Sequence, residues 1–184
     1  MNSLQLACNQ KTSRNPIMQL AAGAIGAALN DLIDKGWAAK NPFSARAEKY
    51  EQKVDRKLGL TEPRLAILCV LMLRGDQTLA EIKNHAVRIY AFVDTAEVKS
   101  HIDGMMLHDD SPLIMELPKK PGTKEVRYTH LLGGEVDIAH YLSTPASHTV
   151  KNQPLEALQA RVDELENRLA KIEAQLQNQD DALN

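Results

Sequence analysis

Aromatic residues are scarce in this sequence. Phe, Trp and Tyr together make up 4% of its 184 residues, so a packed core must be aliphatic. A cationic excess is missing too: the formal net charge is −2, which gives no whole-chain attraction to phosphate and confines any nucleic-acid site to a local patch. Cysteine is nearly absent. Cys8 and Cys69 stand in apolar stretches without a CxxC pattern, a usage that suits buried thiols in a reducing cytosol rather than a structural bridge. Long apolar runs are lacking as well. The longest, residues 65–73, is about half of the ~18 residues that suggest a bilayer span. The Leu6-Ala7-Cys8 run has no basic residue before it, so it does not fit an export signal. These absences point to a soluble, cytoplasmic protein with no membrane partner.

Catalytic patterns are missing in the same way. The sequence has no Gly-rich phosphate loop, no GxSxG and no HExxH. His101 and His108 can share a helical face, but no Cys or carboxylate stands at ligand spacing beside them. Asp109-Asp110 reads as a solvated turn. The expectation is a protein that is not an enzyme, with no cofactor and no metal.

What is present is a strongly patterned stretch, residues 61–132. It reads as one complete winged helix: three helices, then a two-stranded hairpin across Lys119-Lys120-Pro121-Gly122-Thr123. Helix one starts near Thr61, tolerates Pro63 in its first turn and ends before Gly75. Helix two runs from Thr78 to about Ala91 with Leu79, Ile82, Ala86 and Ile89 inward, and helix three follows Asp94 with Val98, Ile102, Met105 and Met106 inward. Thr78 with Glu81, and Asp94 with Glu97, form two capping boxes. In the hairpin, Leu113, Met115 and Leu117 alternate on one strand and Val126, Tyr128 and His130 on the other.

Residues 1–56 read as a first winged-helix domain without its first helix. Leu4, Ala7 and Cys8 make one stripe at helical spacing; Ile25, Leu29, Leu32 and Ile33 make another. Gly36 stops the second, and a loop around Asn41-Pro42 allows a second hairpin reaching into residues 47–54. A three-helix core closes only when each apolar face has a partner, so either the natural chain starts upstream or a partner covers this face. Gly23 and Gly26 each cost roughly 1 kcal/mol against alanine in a helix interior, which makes this half the weaker one. Residues 55–60 are a short charged joint, 57–134 the second winged-helix domain, and 135–154 a linker without a sustained period.

From residue 155 the apolar spacing changes. Leu155, Leu158, Val162, Leu165, Leu169, Ile172 and Leu176 alternate at intervals of three and four, a heptad with apolar a and d positions. With Leu155 at a, Arg161 faces Glu166 of a second chain and Arg168 faces Glu173. The spacing predicts a coiled-coil helix over 155–178 and a parallel homodimer. A single amphipathic helix folded back on its own domain is the alternative.

In a helix-turn-helix reader the third helix sets donors against base edges. Here its outward residues are Asp94, Thr95, Glu97, Lys99, Ser100 and Asp103, half of them carboxylates, which disfavours base reading. The candidate nucleic-acid ligands lie elsewhere: Lys119, Lys120, Lys124 and Arg127 around the wing, Lys83 and Arg88 on helix two, and Lys11 and Arg14 in the first half. Such a wing can grip a phosphate backbone without reading sequence.

Several spaced motifs also agree with one family. Ala7-Cys8-Asn9-Gln10-Lys11-Thr12 followed by Arg14 and Pro16, then Lys49-Tyr50-Glu51-Gln52, Leu71-Met72-Leu73-Arg74-Gly75 with Gln77-Thr78, Ala96-Glu97-Val98, and Pro121-Gly122 leading to Arg127-Tyr128 and His130-Leu131, resemble the bacterial YceH-like family. The resemblance spans almost the whole chain. It implies a mainly α fold with small β-wings, tandem winged-helix domains and a C-terminal helix, and it carries no activity. Members have further residues before the Ala7-Cys8 motif, and their first reading helix opens with Ser and Glu where Leu20-Ala21-Ala22-Gly23 stands here. The reading from sequence is a regulatory or adaptor protein that contacts DNA backbone through basic wings. Its rival is a protein-interaction module whose acidic third helix is a docking face.

Overall fold

Thr61 adopts an extended backbone, Pro63 falls in the first helical turn, and the chain then runs helically to Arg74. The computed structural model describes residues 2–42, 48–108 and 111–144. The elements before this helix are α1 (Asn2–Cys8), α2 (Ala22–Asp34), β1 (Ala38–Asn41), β2 (Lys49–Gln52) and the single turn α3 (Val54–Lys57). The helix itself is α4 (Glu62–Arg74), followed by α5 (Leu79–Ala86), α6 (Thr95–Met106), β3 (Ile114–Leu117), β4 (Arg127–His130) and α7 (Ile138–Ser143). The chain is therefore mainly helical with two small antiparallel hairpins, β1–β2 and β3–β4. The expected coiled coil over 155–178, Asp109-Asp110 and the later part of the expected linker lie outside the described residues.

Helix α4 is apolar on most of its surface and is the centre of the core. It buries Ala66, Ile67, Leu68, Val70 and Leu71 against Ile82 and Ala86 of α5, Val98, Ile102 and Met105 of α6, and Leu113, Ile114 and Tyr128 of the hairpin. Gly75 ends it with φ +74°, a conformation natural to glycine, and its N–H reaches the Leu71 carbonyl.

Thr78 and Glu81 form the full capping box: Thr78 N–H donates to the Glu81 carboxylate at 2.9 Å, and Glu81 N–H donates to Thr78 Oγ1 at 3.3 Å. Helix α5 is shorter than its apolar pattern implied. It stops at Ala86, whose carbonyl accepts from both Ile89 and Tyr90, and the turn leaves Ile89 43% exposed. Phe92 beyond it is buried and packed edge-on to Tyr90 at 4.7 Å between ring centroids. The second capping box is half formed. Asp94 accepts from Glu97 N–H at 2.8 Å, but the Glu97 carboxylate reaches past Asp94 to Val93 N–H at 2.7 Å and to the Tyr90 hydroxyl at 3.2 Å.

Glu116 stands opposite Tyr128 across the second hairpin and Leu117 opposite Arg127. Leu113 and Leu117 are buried as the alternation implied, joined by Ile114, while Met115 is half-buried. The connection spans residues 118–126, wider than the five-residue turn expected. A third, single-residue rung is added by Gln77, whose N–H donates to the Tyr128 carbonyl at 3.0 Å while Tyr128 N–H returns a bond to Gln77 at 2.8 Å. Three helices with a hairpin laid beside them in this way is a build compatible with a winged helix.

Helix α2 begins after an extended Ala21 that offers no side-chain cap. It buries Ile25 and Leu29 but leaves Leu32 44% exposed. Gly36, at φ +71°, turns the chain into β1–β2, with Ala38 opposite Gln52, the second hairpin expected around Asn41. The polar segment after α1 is held by its own side chains. Asn9 donates to the Leu20 carbonyl at 2.9 Å and accepts from Leu20 N–H at 2.7 Å. Asn15 N–H donates to the Leu73 carbonyl of α4 at 2.9 Å. The charged joint is also folded in, since Leu60 is buried in the α4 core and Val54 and Leu58 pack on it.

Candidate nucleic-acid interface

The wing cations separate into two groups once their partners are traced. Arg127 leads β4, and its guanidinium is engaged through Nε and one Nη. Nε donates to the Asp76 carboxylate at 2.6 Å, one Nη donates to the Asp76 carbonyl at 2.6 Å, and the same Nη lies 2.8 Å from the Glu81 carboxylate. Glu81 thus closes the α5 cap and receives the hairpin's arginine at the same time. The planar fork of arginine suits such a multidentate clamp, which a lysine cannot reproduce.

Lys120 is also turned inward. It is 9% exposed, its Nζ donates to the Thr144 carbonyl at 2.9 Å, and it stands 4.0 Å from the centre of the Tyr141 ring. The span expected as linker therefore contains a helix, α7, capped by Asp137 through the His140 N–H, and that helix and its C-cap residue Thr144 supply the two partners of Lys120.

Of the other cations, Lys83 donates to the Val93 carbonyl at 2.8 Å and ties α5 to the turn before α6. Arg14 donates to the Ala7 and Ser13 carbonyls at 2.8 and 2.9 Å, closing the end of α1. Lys119, Lys124, Arg88 and Lys11 are exposed. Lys119 lines an open groove of about 320 Å³ with Thr78, Leu79, Thr95, Glu125 and Val126. The structure thus brings Lys119 and Lys124 to one loop, and gives Lys120, Arg127, Lys83 and Arg14 intramolecular partners in place of the phosphates expected for them.

The outward face of α6 is less acidic than its sequence. Glu97 is turned back and half-buried, and Asp103 is paired with Lys99. Beneath the hairpin lies a polar network the sequence did not reveal. Gln77, 2% exposed, donates to the Val70 carbonyl at 2.9 Å and the Gly75 carbonyl at 3.2 Å, and its Oε1 is 2.6 Å from His85 Nδ1. An amide oxygen only accepts, so His85 carries its proton on Nδ1 here. Burial, with help from Arg74 and against Glu81, pushes His85 below its ordinary pKa; burial alone does the same to His130, whose Nδ1 is buried without a partner.

Helices around an apolar centre, with hairpins carried beside them, define a class compatible with winged-helix proteins. Within that class, the chain belongs to the DUF480 family, described as "Protein of unknown function, DUF480", whose match covers residues 1–123. A UPF0502 protein of Koribacter versatilis is 40% identical over 168 residues, covering 90% of this chain and 78% of that one. One from Azotobacter vinelandii is 39% identical over 165 residues, covering 87% and 72%. The UPF0502 protein YceH of Escherichia fergusonii is 35% identical over 182 residues, covering 96% and 82%, in accord with the motif resemblance noted from the sequence. Among the described residues no helix is long and apolar enough to cross a membrane.

Two outcomes follow. Arg127→Ala removes charge-assisted bonds to two carboxylates and should lower stability by about 2 kcal/mol, whereas Lys119→Ala should stay within about 0.5 kcal/mol; urea titration compares them. For pH, the fold favours neutral His85 and His130, so below the ordinary histidine value of 6.5 the unfolded chain binds protons that the folded chain resists. Stability should be highest above pH 6.5 and decline as pH falls toward 5. Glu48 and Glu51, held below 4.5 chiefly by bonds from Tyr50 and Lys53 respectively, act only at more acid pH. Melting temperatures measured from pH 8 to 5 should show this fall, and His130→Gln should flatten it.

Proposed function

We propose that this is a non-enzymatic tandem winged-helix adaptor, cytoplasmic, which works through protein contacts and dimerises through residues 155–178. The observation that carries the adaptor reading is the internal use of Lys120 and Arg127, two of the four wing cations. A guanidinium held through Nε and one Nη by Asp76 and Glu81 can turn those donors to a phosphate only by breaking the bonds that fasten the hairpin. With a net charge of −2, the chain has no general field to compensate. Val87, Val93 and Leu107 are exposed, at 61%, 82% and 82%, single apolar side chains that a protein partner could cover.

A second reading is favoured by Lys119 and Lys124, exposed on either side of Pro121-Gly122: a shallow, sequence-independent contact of the wing with a polyanion backbone. Random-sequence duplex at ~50 mM salt separates the two readings. The adaptor reading expects no measurable binding. Binding that falls steeply with added salt, and that is weakened by Lys119→Ala and Lys124→Ala, replaces it with the second.

The dimer is supported by the heptad spacing from Leu155 to Leu176 and by the matched Arg161–Glu166 and Arg168–Glu173 positions. In sedimentation the full chain should behave as a dimer and a chain ending at Pro154 as a monomer; a dimer from the shorter chain removes the role given to the coil.

A further inference from the structure

Lys120 belongs to the basic cluster of the wing tip, yet the element that hides it comes from beyond the hairpin. A lysine ammonium leaves bulk water readily only when other groups replace that water. Both replacements are on or next to α7: the Tyr141 ring at 4.0 Å and the Thr144 carbonyl at 2.9 Å. Tyr141 is half-buried and lies within the electrostatic reach of Asp76 and Arg127, so α7 lies near the clamp that fastens the hairpin.

The cover itself is weakly held. Helix α7 has six residues and none of its side chains is buried; Leu142 is 42% exposed. Its own hydrogen bonds are local, from the His140 N–H to the Asp137 carboxylate at the start and from the Ser143 and Thr144 hydroxyls to the His140 carbonyl at the end. A helix this short is not stable alone in water, so it persists by docking, and elements with few buried contacts are the ones that open first.

We propose that residues 138–144 form a displaceable strap that withholds Lys120 from solvent and from anionic partners. Displacing the strap adds a third free cation to Lys119 and Lys124 at the wing tip. The effect on polyanions rests on the wing-contact reading above, while the covering of Lys120 does not.

Amine footprinting of the full chain with N-hydroxysuccinimidyl acetate, read by mass spectrometry, tests the cover directly. In the natural chain Lys120 should acetylate more slowly than Lys119 and Lys124. In Tyr141→Ala it should match them, and in Tyr141→Phe, which keeps the ring, it should stay slow. Should Tyr141→Ala fail to fold, Leu142→Pro breaks α7 by another route, with far-UV circular dichroism as the control. Equal rates at all three lysines in the natural chain, or a Lys120 that stays slow in the folded strap variants, overturn the proposal. Duplex binding then separates the two readings. A released strap should steepen the dependence of log K on log salt by about 0.9, one extra phosphate contact. If the natural chain binds duplex and release changes nothing, the strap does not control anionic partners. If neither chain binds while Lys120 is freed, the strap stands and the wing-contact reading fails.

Discussion

The fold depends on how the hairpin is fastened to the helices. A two-stranded hairpin is marginal in water, and β3–β4 gains a third rung from Gln77, two main-chain bonds to Tyr128. Gln77 can take that place because its side chain is itself satisfied, by the carbonyls of Val70 and Gly75 and by His85. One residue before Tyr128, Arg127 grips Asp76 and Glu81 on either side of Gln77. Main chain and side chain therefore fix the hairpin register together, and Tyr128, 1% exposed, is driven into the core as a result.

This fastening limits what the wing can bind. An arginine that supports the fold through two carboxylates has those bonds to give up before the same donors can serve a phosphate, and a lysine stacked on Tyr141 is covered while α7 stays in place. Charge counted along the sequence overstates the charge available at the surface. The same holds with opposite sign on α6, where Glu97 serves Val93 and Tyr90 rather than facing outward.

The helices and hairpins were legible because their signals are local. The periodicity of α4, the Thr78-x-x-Glu81 box and the inward set Val98, Ile102 and Met105 each depend on residues a few positions apart. The partners of the cations were not legible, because Arg127 meets Asp76 across 51 residues and Lys120 meets Thr144 across 24. No spacing rule links such pairs. The end of α5 was missed for a related reason: Ile89 continues the apolar stripe, but the turn after Ala86 leaves it exposed, and Phe92 is buried in the core instead. Within residues 135–154 the six residues of α7 are too few to show a period, and the helix is supported by the lysine it covers.

Asn15 has a wider effect than its place in a polar loop suggests. Its main-chain N–H completes the Leu73 carbonyl in the last turn of α4, a carbonyl that the helix cannot satisfy for itself. The central helix is thus finished by a residue from the opposite half of the chain. The border at residues 55–60 separates two sequence patterns, yet a main-chain bond crosses it, so the early loop helps to complete the helix on which the later half is assembled.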